Sequence, residues 1–227
     1  MTMDFKAPCT PPARHWLALA LALAGLALAP AARSQTPAPA PAASFDPGPR
    51  PIAPTQALPY PGTMLLSVDA TDLTHRVQRV RQTVPVAQAG QLTLLYPQWV
   101  PGHHGNTGDV SKLAGLQVRA GTQSLPWRRD TLNPSAFHVL VPPGVAQLEL
   151  SFDYLSPLGR DGGRVEVTRQ ILGVQWNEVL LYPAGHDASL IRVQPRLKLP
   201  AGWQQGTALR APDGGLPQAD AEGWVAY

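Results

Sequence analysis

The sequence has almost no cysteine and comparatively little charge. Its single cysteine, Cys9, lies near the amino terminus, so neither an intramolecular disulfide nor a thiolate metal site is available. Charged residues make up 15% of the chain and the formal net charge is only +3, which is too small to indicate a nucleic-acid partner. Because the densest basic cluster, Arg76, Arg79 and Arg81, has no aromatic residues between its members, we interpret it as charge on an exposed strand face.

Long uninterrupted helical patterns are also missing. The chain contains 26 prolines and 20 glycines, which break long helices and favour short strands joined by turns. No stretch of about a dozen residues carries an apolar stripe at helical spacing, although residues 106–113 are compatible with one or two helical turns. The composition therefore favours a mostly β protein.

Complete catalytic motifs are absent from the sequence. There is no H-E-x-x-H helix motif for zinc and no G-x-S-x-G context for a serine nucleophile. His103 and His104 are adjacent in a Pro-Gly loop where their side chains diverge, and His138 lies on the strand face opposite its apolar neighbours. We expect no catalytic residue, no metal ligand and no cofactor on this chain, and a small hydrolase built on these histidines is a third hypothesis beside the two given below.

The first 31 residues read as a secretory signal peptide. An apolar run from Trp16 to Ala29 follows Lys6 and Arg14, and a small-x-small cleavage pattern stands at its end. The run of about 14 residues is shorter than the roughly 20 that a spanning helix needs. We therefore expect an exported protein, periplasmic or secreted, with no stable membrane span after cleavage.

A linker rich in proline and alanine is expected between residues 32 and 62. It includes P-A-P-A-P-A-A-S from Pro37 and P-G-P-R-P-I-A-P from Pro47. Such sequences cannot form a core and behave as semi-rigid extended spacers. The sequence thus predicts three parts, which are a leader (1–31), a linker (32–62) and one folded domain (63–227).

Alternating apolar and polar residues predict short strands throughout residues 63–227. The clearest alternation places Leu148, Leu150, Phe152 and Tyr154 on one face. Regular short strands separated by turn residues indicate an all-β, mainly antiparallel, β-sandwich-like domain. Pro195 removes one ladder donor and predicts an edge strand or a bulge. The predicted strands are 64–70, 75–84, 92–96, 116–120, 137–141, 148–154, 165–168, 171–176, 191–199 and 224–227.

Two segments, 96–105 and 175–185, place large aromatic rings beside prolines. Ordered loops of this kind often carry ligand or inter-domain contacts, whereas the alternative is that the rings fill the open ends of a sandwich core. The candidate residues for a binding or inter-domain face are Tyr96, Trp99, His103, Trp176, Asn177 and Tyr182.

These segments resemble the amino-terminal domain of the glycyl aminopeptidase family of zinc metallopeptidases, which are gluzincins. The resemblance extends from about Pro61 to the end of the chain and keeps the family's order of blocks. The blocks are Y-P-Q-W-V-P-G-H from Tyr96, L-A-G-L from Leu113, W-R-R-D from Trp127, A-F-H-V from Ala136, Q-W-N from Gln175, L-Y-P-A-G from Leu181, G-W from Gly202 and T-A-L from Thr207.

The resemblance implies a non-catalytic domain that precedes a thermolysin-like catalytic domain. The partner would be that catalytic domain, which is missing from this chain, together with a peptide substrate; zinc is implied for the full-length enzyme only. We expect the natural protein to continue past Tyr227, and whether this chain is an enzyme by itself stays open. The alternative hypothesis is a stand-alone exported binding or adaptor module built on the same sandwich.

Overall fold

The computed structural model describes residues 51–99, 102–158 and 167–227. The predicted leader, the first part of the predicted linker and residues 100–101 of the first aromatic segment lie outside these ranges. So do residues 159–166, which include the start of the predicted strand 165–168. The chain divides into two units, residues 1–46 and residues 47–227, and every described residue belongs to the second unit.

Eleven strands in the described residues form two facing sheets. The larger sheet has the order β11-β10-β1-β2-β8-β4-β5 and the smaller has the order β6-β7-β3-β9. All neighbouring strands are antiparallel except β1 and β10, which run parallel. The strands are β1 Thr63–Asp72, β2 Val77–Pro85, β3 Gly90–Leu95, β4 Leu113–Ala120, β5 Gln123–Leu125, β6 Trp127–Arg129, β7 Ala136–Val141, β8 Gln147–Leu155, β9 Tyr182–Pro183, β10 Arg192–Lys198 and β11 Trp224–Ala226. The prediction of an all-β, mainly antiparallel, sandwich-like fold is confirmed.

The core lies between the two sheets because every second residue of each long strand points inward. On β8 the buried residues are the predicted set at 148, 150, 152 and 154, and β1 buries Met64, Leu66, Val68 and Ala70 in the same way. Leu94 and Phe137 meet them from the smaller sheet. Each fully buried large aliphatic or aromatic side chain contributes about 1.5–3 kcal/mol by leaving water.

Two glutamines, Gln78 and Gln82, occupy inward positions on β2 and are almost completely buried. The amide of Gln82 pairs in both directions with the backbone of Leu181, donating to its carbonyl at 2.5 Å and accepting from its N–H at 3.0 Å. Gln78 donates to the carbonyl of Gly173 at 3.2 Å. Side chains of β2 thus hydrogen-bond the irregular segment 173–181 and hold it against the larger sheet.

Regular structure differs from the sequence prediction in three places and agrees with it over residues 106–113. Residues 171–176 form no strand; Leu172 makes an isolated bridge with Val167, and a 3-10 turn begins at Trp176. The short strands β5, β6 and β9 were not predicted, because two or three residues show no alternation. Residues 106–113 contain one 3-10 turn, Val110–Lys112. β10 is not an edge strand, since β11 lies outside it.

Pro195 is accommodated because the pairing of β10 with β11 covers only residues 196–198. On the β11 side, the N–H of Tyr227 donates to the Pro195 carbonyl at 3.0 Å. This bond uses the carbonyl of proline and not the missing N–H.

Residues at the end of the predicted linker also pack against the sandwich. Tyr60 is buried, its hydroxyl donates to the carbonyl of Pro85, and burial raises its pKa to about 12. Gln56 makes an isolated bridge with His186. No helix in the part of the chain that the structure describes has the length and apolarity to cross a bilayer.

Replacing Gln82 by leucine is expected to destabilise the domain. Both the N–H and the carbonyl of Leu181 would lose their partner while staying buried, which costs about 2–4 kcal/mol of unfolding free energy. Chemical denaturation followed by tryptophan fluorescence measures the change. The matched control is Gln117→Leu on the exposed face of β4; equal free energies for the two variants would contradict the structural role of Gln82.

Candidate functional site

The first aromatic segment forms a loop between β3 and β4 whose two ends are tied together. The N–H of Gly108 donates to the carbonyl of Gln98 at 2.7 Å, and Trp99 makes an isolated bridge with Asn106. Within the loop, Nδ1 of His103 lies 2.9 Å from the Thr107 hydroxyl. These contacts hold an ordered loop on which the Trp99 ring is 67% exposed.

A second loop, between β6 and β7, lies beside the first. The side-chain amide of Gln98 donates to the Asn133 side chain at 3.1 Å, and Leu132 in this second loop is 86% exposed. Two large apolar side chains are therefore presented to solvent on neighbouring, hydrogen-bonded loops. Large apolar groups on ordered loops are typical of contact surfaces. We call Trp99 and Leu132 the loop patch.

Tyr96, at the base of the first loop, is 1% exposed and belongs to a buried polar cluster. The Tyr154 hydroxyl donates to the Glu178 carboxylate, and Nζ of Lys112 lies 3.9 Å from the same carboxylate. Burial and then the carboxylates of Glu178 and Asp109 raise the pKa of Tyr96, while burial and the hydrogen bond to Glu178 raise the pKa of Tyr154. Both phenols therefore stay protonated at neutral pH and can act as hydrogen-bond donors.

Tyr96 and Asn177 each keep one polar group without a protein partner. The Tyr96 hydroxyl and the Asn177 side-chain nitrogen are buried and have no hydrogen-bond partner among the described residues. Buried donors of this kind are usually paired with water or with another molecule. Because Asn177 and Glu178 share one 3-10 turn, the cluster joins the two aromatic segments that the sequence singled out.

The two remaining candidates, Tyr182 and Trp176, occupy different positions. Tyr182 pairs with Leu95 in the β3–β9 ladder, next to Tyr96, and burial raises its pKa. Trp176 instead packs edge-on against Tyr227, with ring centres 5.5 Å apart. It lines a groove of about 230 Å³ together with Trp203. The structure thus brings Tyr96, Asn177 and Tyr182 to one end of the sandwich, places Trp99 and His103 on the adjoining loop, and puts Trp176 in a separate groove.

His138 and Asp130 form a pair that sequence reasoning did not connect. His138 is 1% exposed; its Nε2 lies 2.8 Å from the Asp130 carboxylate and its Nδ1 lies 3.0 Å from the Thr93 hydroxyl. The hydrogen bond with His138, followed by the backbone N–H groups of Asn133 and Leu132, lowers the pKa of Asp130 to about 2. Both ring nitrogens therefore have hydrogen-bond partners inside the fold.

The histidines in the described part of the chain are not grouped as a zinc site. Nδ1 of His75, His103 and His186 lies within hydrogen-bond distance of Asp72, Thr107 and the Leu58 carbonyl, respectively. Within residues 51–99, 102–158 and 167–227, no three His, Cys, Asp or Glu side chains are grouped so that they could hold a metal ion. The described donor set does not fit zinc, and no metal-dependent step is assigned to it.

Known proteins match this chain by family and by fold. The peptidase M61 N-terminal domain family matches residues 65–223. An aminopeptidase N family protein from Idiomarina loihiensis aligns with a TM-score of 0.53 at 16% identity, covering 73% of this chain and 27% of its own. An M1 zinc metallopeptidase from Deinococcus radiodurans, solved as a variant with a Tyr-Ser-Ala substrate, aligns at a TM-score of 0.35 and 11% identity over 72% of this chain and 37% of its own.

The first of these structures shares the fold alone at this identity, and the second alignment is too weak to support an argument. This chain spans about a quarter and just over a third of their respective lengths. No curated protein matches the chain.

Gly108→Ala is expected to disrupt the first loop. A Cβ at this position would lie 1.9 Å from the Pro97 carbonyl oxygen and 2.8 Å from the α-carbon of Gln98, and such overpacking costs about 1–3 kcal/mol. Thermal unfolding followed by circular dichroism measures the loss. Gly105→Ala in the same loop is the control, since a Cβ there meets no described atom within 4 Å; equal midpoints for the two variants would contradict the close packing.

Asp130→Asn is expected to make stability depend less on pH. The lowered pKa means that ionised Asp130 stabilises the fold fully above its ordinary pKa of 3.8, and that this contribution is lost as the pH falls through about 2. The wild type should therefore exceed the variant in unfolding free energy at neutral pH, and the difference should narrow across that window. Denaturation at several pH values measures it, with Glu222→Gln on the surface as control; a pH-independent difference would contradict the His138–Asp130 pairing.

Proposed function

The chain belongs to the peptidase M61 N-terminal domain family, and from this premise we propose that it serves as the non-catalytic amino-terminal domain of an exported zinc metallopeptidase of aminopeptidase type. The family match confirms the resemblance to glycyl aminopeptidases. Catalysis, zinc and the peptide substrate belong, in this proposal, to a catalytic domain that this sequence does not contain. Export is inferred from the apolar, alanine-rich segment that follows Lys6 and Arg14.

The observation that carries the proposal is the family match over most of the sandwich. It is supported by a fold shared with part of an aminopeptidase N family protein. We therefore assign this chain positioning and contact functions and no step of peptide hydrolysis.

The loop patch is our candidate for the face that contacts the catalytic domain. Trp99 and Leu132 expose large apolar surfaces on loops that are fixed by the Gln98–Asn133 hydrogen bond. Apolar and aromatic side chains on a rigid support lose little entropy on binding and form the buried centre of many interfaces. With Tyr96 and Asn177 at the loop base, this end of the sandwich would help to wall the substrate cleft and to restrict substrates to peptides with a free amino end.

Two measurements test the proposal. The coding sequence after Tyr227 is expected to encode an H-E-x-x-H motif and a later glutamate. The purified 227-residue chain is expected to bind no stoichiometric zinc by metal analysis and to release no amino acid from peptides. A stop codon near Tyr227 would favour the stand-alone binding module, and zinc-dependent hydrolysis by the purified chain would overturn the division of labour.

The loop patch is tested in the polypeptide that contains both domains. Trp99→Ala should lower kcat/KM for peptides or lower the temperature of inactivation, because the contact between the domains loses its largest apolar group. Leu216→Ala, an exposed apolar residue in the 211–217 loop, is the control. Equal activity and stability of the two variants would remove the loop patch from the interface.

A further inference from the structure

The outer face of the seven-stranded sheet carries a groove that the proposed function does not use. The groove has a volume of about 700 Å³, and it runs across β10, β1, β2, β8 and β4. Strand register places the side chains of this face in rows, because paired residues on neighbouring strands point to the same side. The charges in these rows can therefore be compared directly.

The two outer rows contain opposite charges beside each other. In one row Lys198, Asp69, Arg79 and Asp153 follow each other on successive strands, with alternating sign. In the other row Glu149 lies opposite Arg119. Cross-strand pairs of opposite charge offset each other, so neither row presents a strong field.

The row between them is different because it contains two arginines and no acid. Its members on successive strands are Arg196, Ser67, Arg81, Ser151 and Gln117. The Arg81 guanidinium makes no ion pair with any carboxylate of the described residues. We call this set the arginine row.

Arg196 is held in place before any ligand arrives. Its Nε donates to the Ser67 hydroxyl at 2.7 Å, and its guanidinium lies 4.4 Å from the centre of the Trp224 ring. The Nε–H is used by Ser67, whereas the terminal N–H groups remain for a planar anion such as a carboxylate, which arginine binds in a bidentate manner. Preorganisation of this kind lowers the entropic cost of binding.

An extended chain that carries carboxylates can bridge the two arginines. Side chains on one face of such a chain recur about every 7 Å, and the long side chains of arginine and glutamate span the difference from the separation of the two arginine backbones. Neighbouring strands lie about 4.8 Å apart, so the backbones of Arg196 and Arg81, two strands apart, are separated by roughly 10 Å. The hydroxyls of Ser67 and Ser151 stand between and beside them as further donors. Leu65, 48% exposed, and Ala226 add an apolar floor. A flat bilayer does not enter a groove, and a bare inorganic anion leaves the apolar floor uncovered.

We propose that the arginine row is a docking site for an extended acidic peptide segment, with one carboxylate on Arg196 and another on Arg81. The arginine row is positively charged, whereas the rows on either side contain charges of both signs. The row therefore selects an acidic partner. The apolar floor accommodates the aliphatic side chains between its carboxylates.

The test measures binding of a labelled hexapeptide that alternates glutamate and alanine to the full 227-residue chain at low ionic strength, by fluorescence anisotropy. Binding is expected to exceed that of the same peptide with glutamine in place of glutamate and to weaken as salt is added. Arg81→Gln and Arg196→Gln should each weaken it about tenfold through loss of a charge-assisted hydrogen bond. Tryptophan emission should also change on binding in the wild type, because Trp224 contacts Arg196.

Arg210→Gln is the matched control, since it removes the same charge from an exposed loop outside the groove. It should leave the affinity of the peptide unchanged. Equal affinity for the glutamate and glutamine peptides would overturn the proposal. So would equal losses in all three arginine variants, or binding to vesicles of anionic phospholipid with no binding of the peptide. Circular dichroism of each variant confirms that the sheet is intact.

Discussion

The two-way amide pairing between Gln82 and Leu181 is the contact that holds the end of the irregular segment 173–181 against the larger sheet. It satisfies a backbone N–H and a carbonyl in the core without any strand pairing at that point. Burying these groups unpaired would cost several times what the paired amide contributes. The same segment contains Asn177 and Glu178 and continues into Tyr182, so Gln82 positions this polar end together with the Gln78–Gly173 and Tyr154–Glu178 hydrogen bonds.

Several buried polar side chains of this domain are fixed by hydrogen bonds or kept protonated. The histidine with the deepest burial is saturated by Asp130 and Thr93, and the phenols of Tyr96 and Tyr154 are held in the protonated state. The two protonated phenols can orient neighbouring groups and donate hydrogen bonds to them. In the proposed role, these donors would face the catalytic domain.

The sequence predicted those parts of the fold that follow from local periodicity. Alternation located β1, β2 and β8, since each has four buried residues at every second position. It also located β7 and β10, although β7 buries five of its six residues and β10 buries only Leu197. It could not locate β9 or the path of 173–181, because these are held by side chains nearly a hundred positions away. The only sequence feature that pointed to this packing was the presence of glutamine at the inward positions 78 and 82 of β2. The sequence also did not indicate that Asp130, in the W-R-R-D block, lies close to His138, in the A-F-H-V block. The two residues come together because β6 and β7 form a hairpin.

The parallel pairing of β1 with β10 has a consequence for how the chain acquires its structure. Ser67 and Arg196, which face each other in that ladder, are separated by 129 positions. Contacts between residues so far apart in the sequence have a high entropic cost of loop closure and form slowly. During synthesis, one edge of β1 therefore has no partner strand until β10, in the last quarter of the chain, has been made. An unpaired strand edge can pair with strands of other polypeptides. A cell that keeps the polypeptide extended during this interval protects it from aggregation.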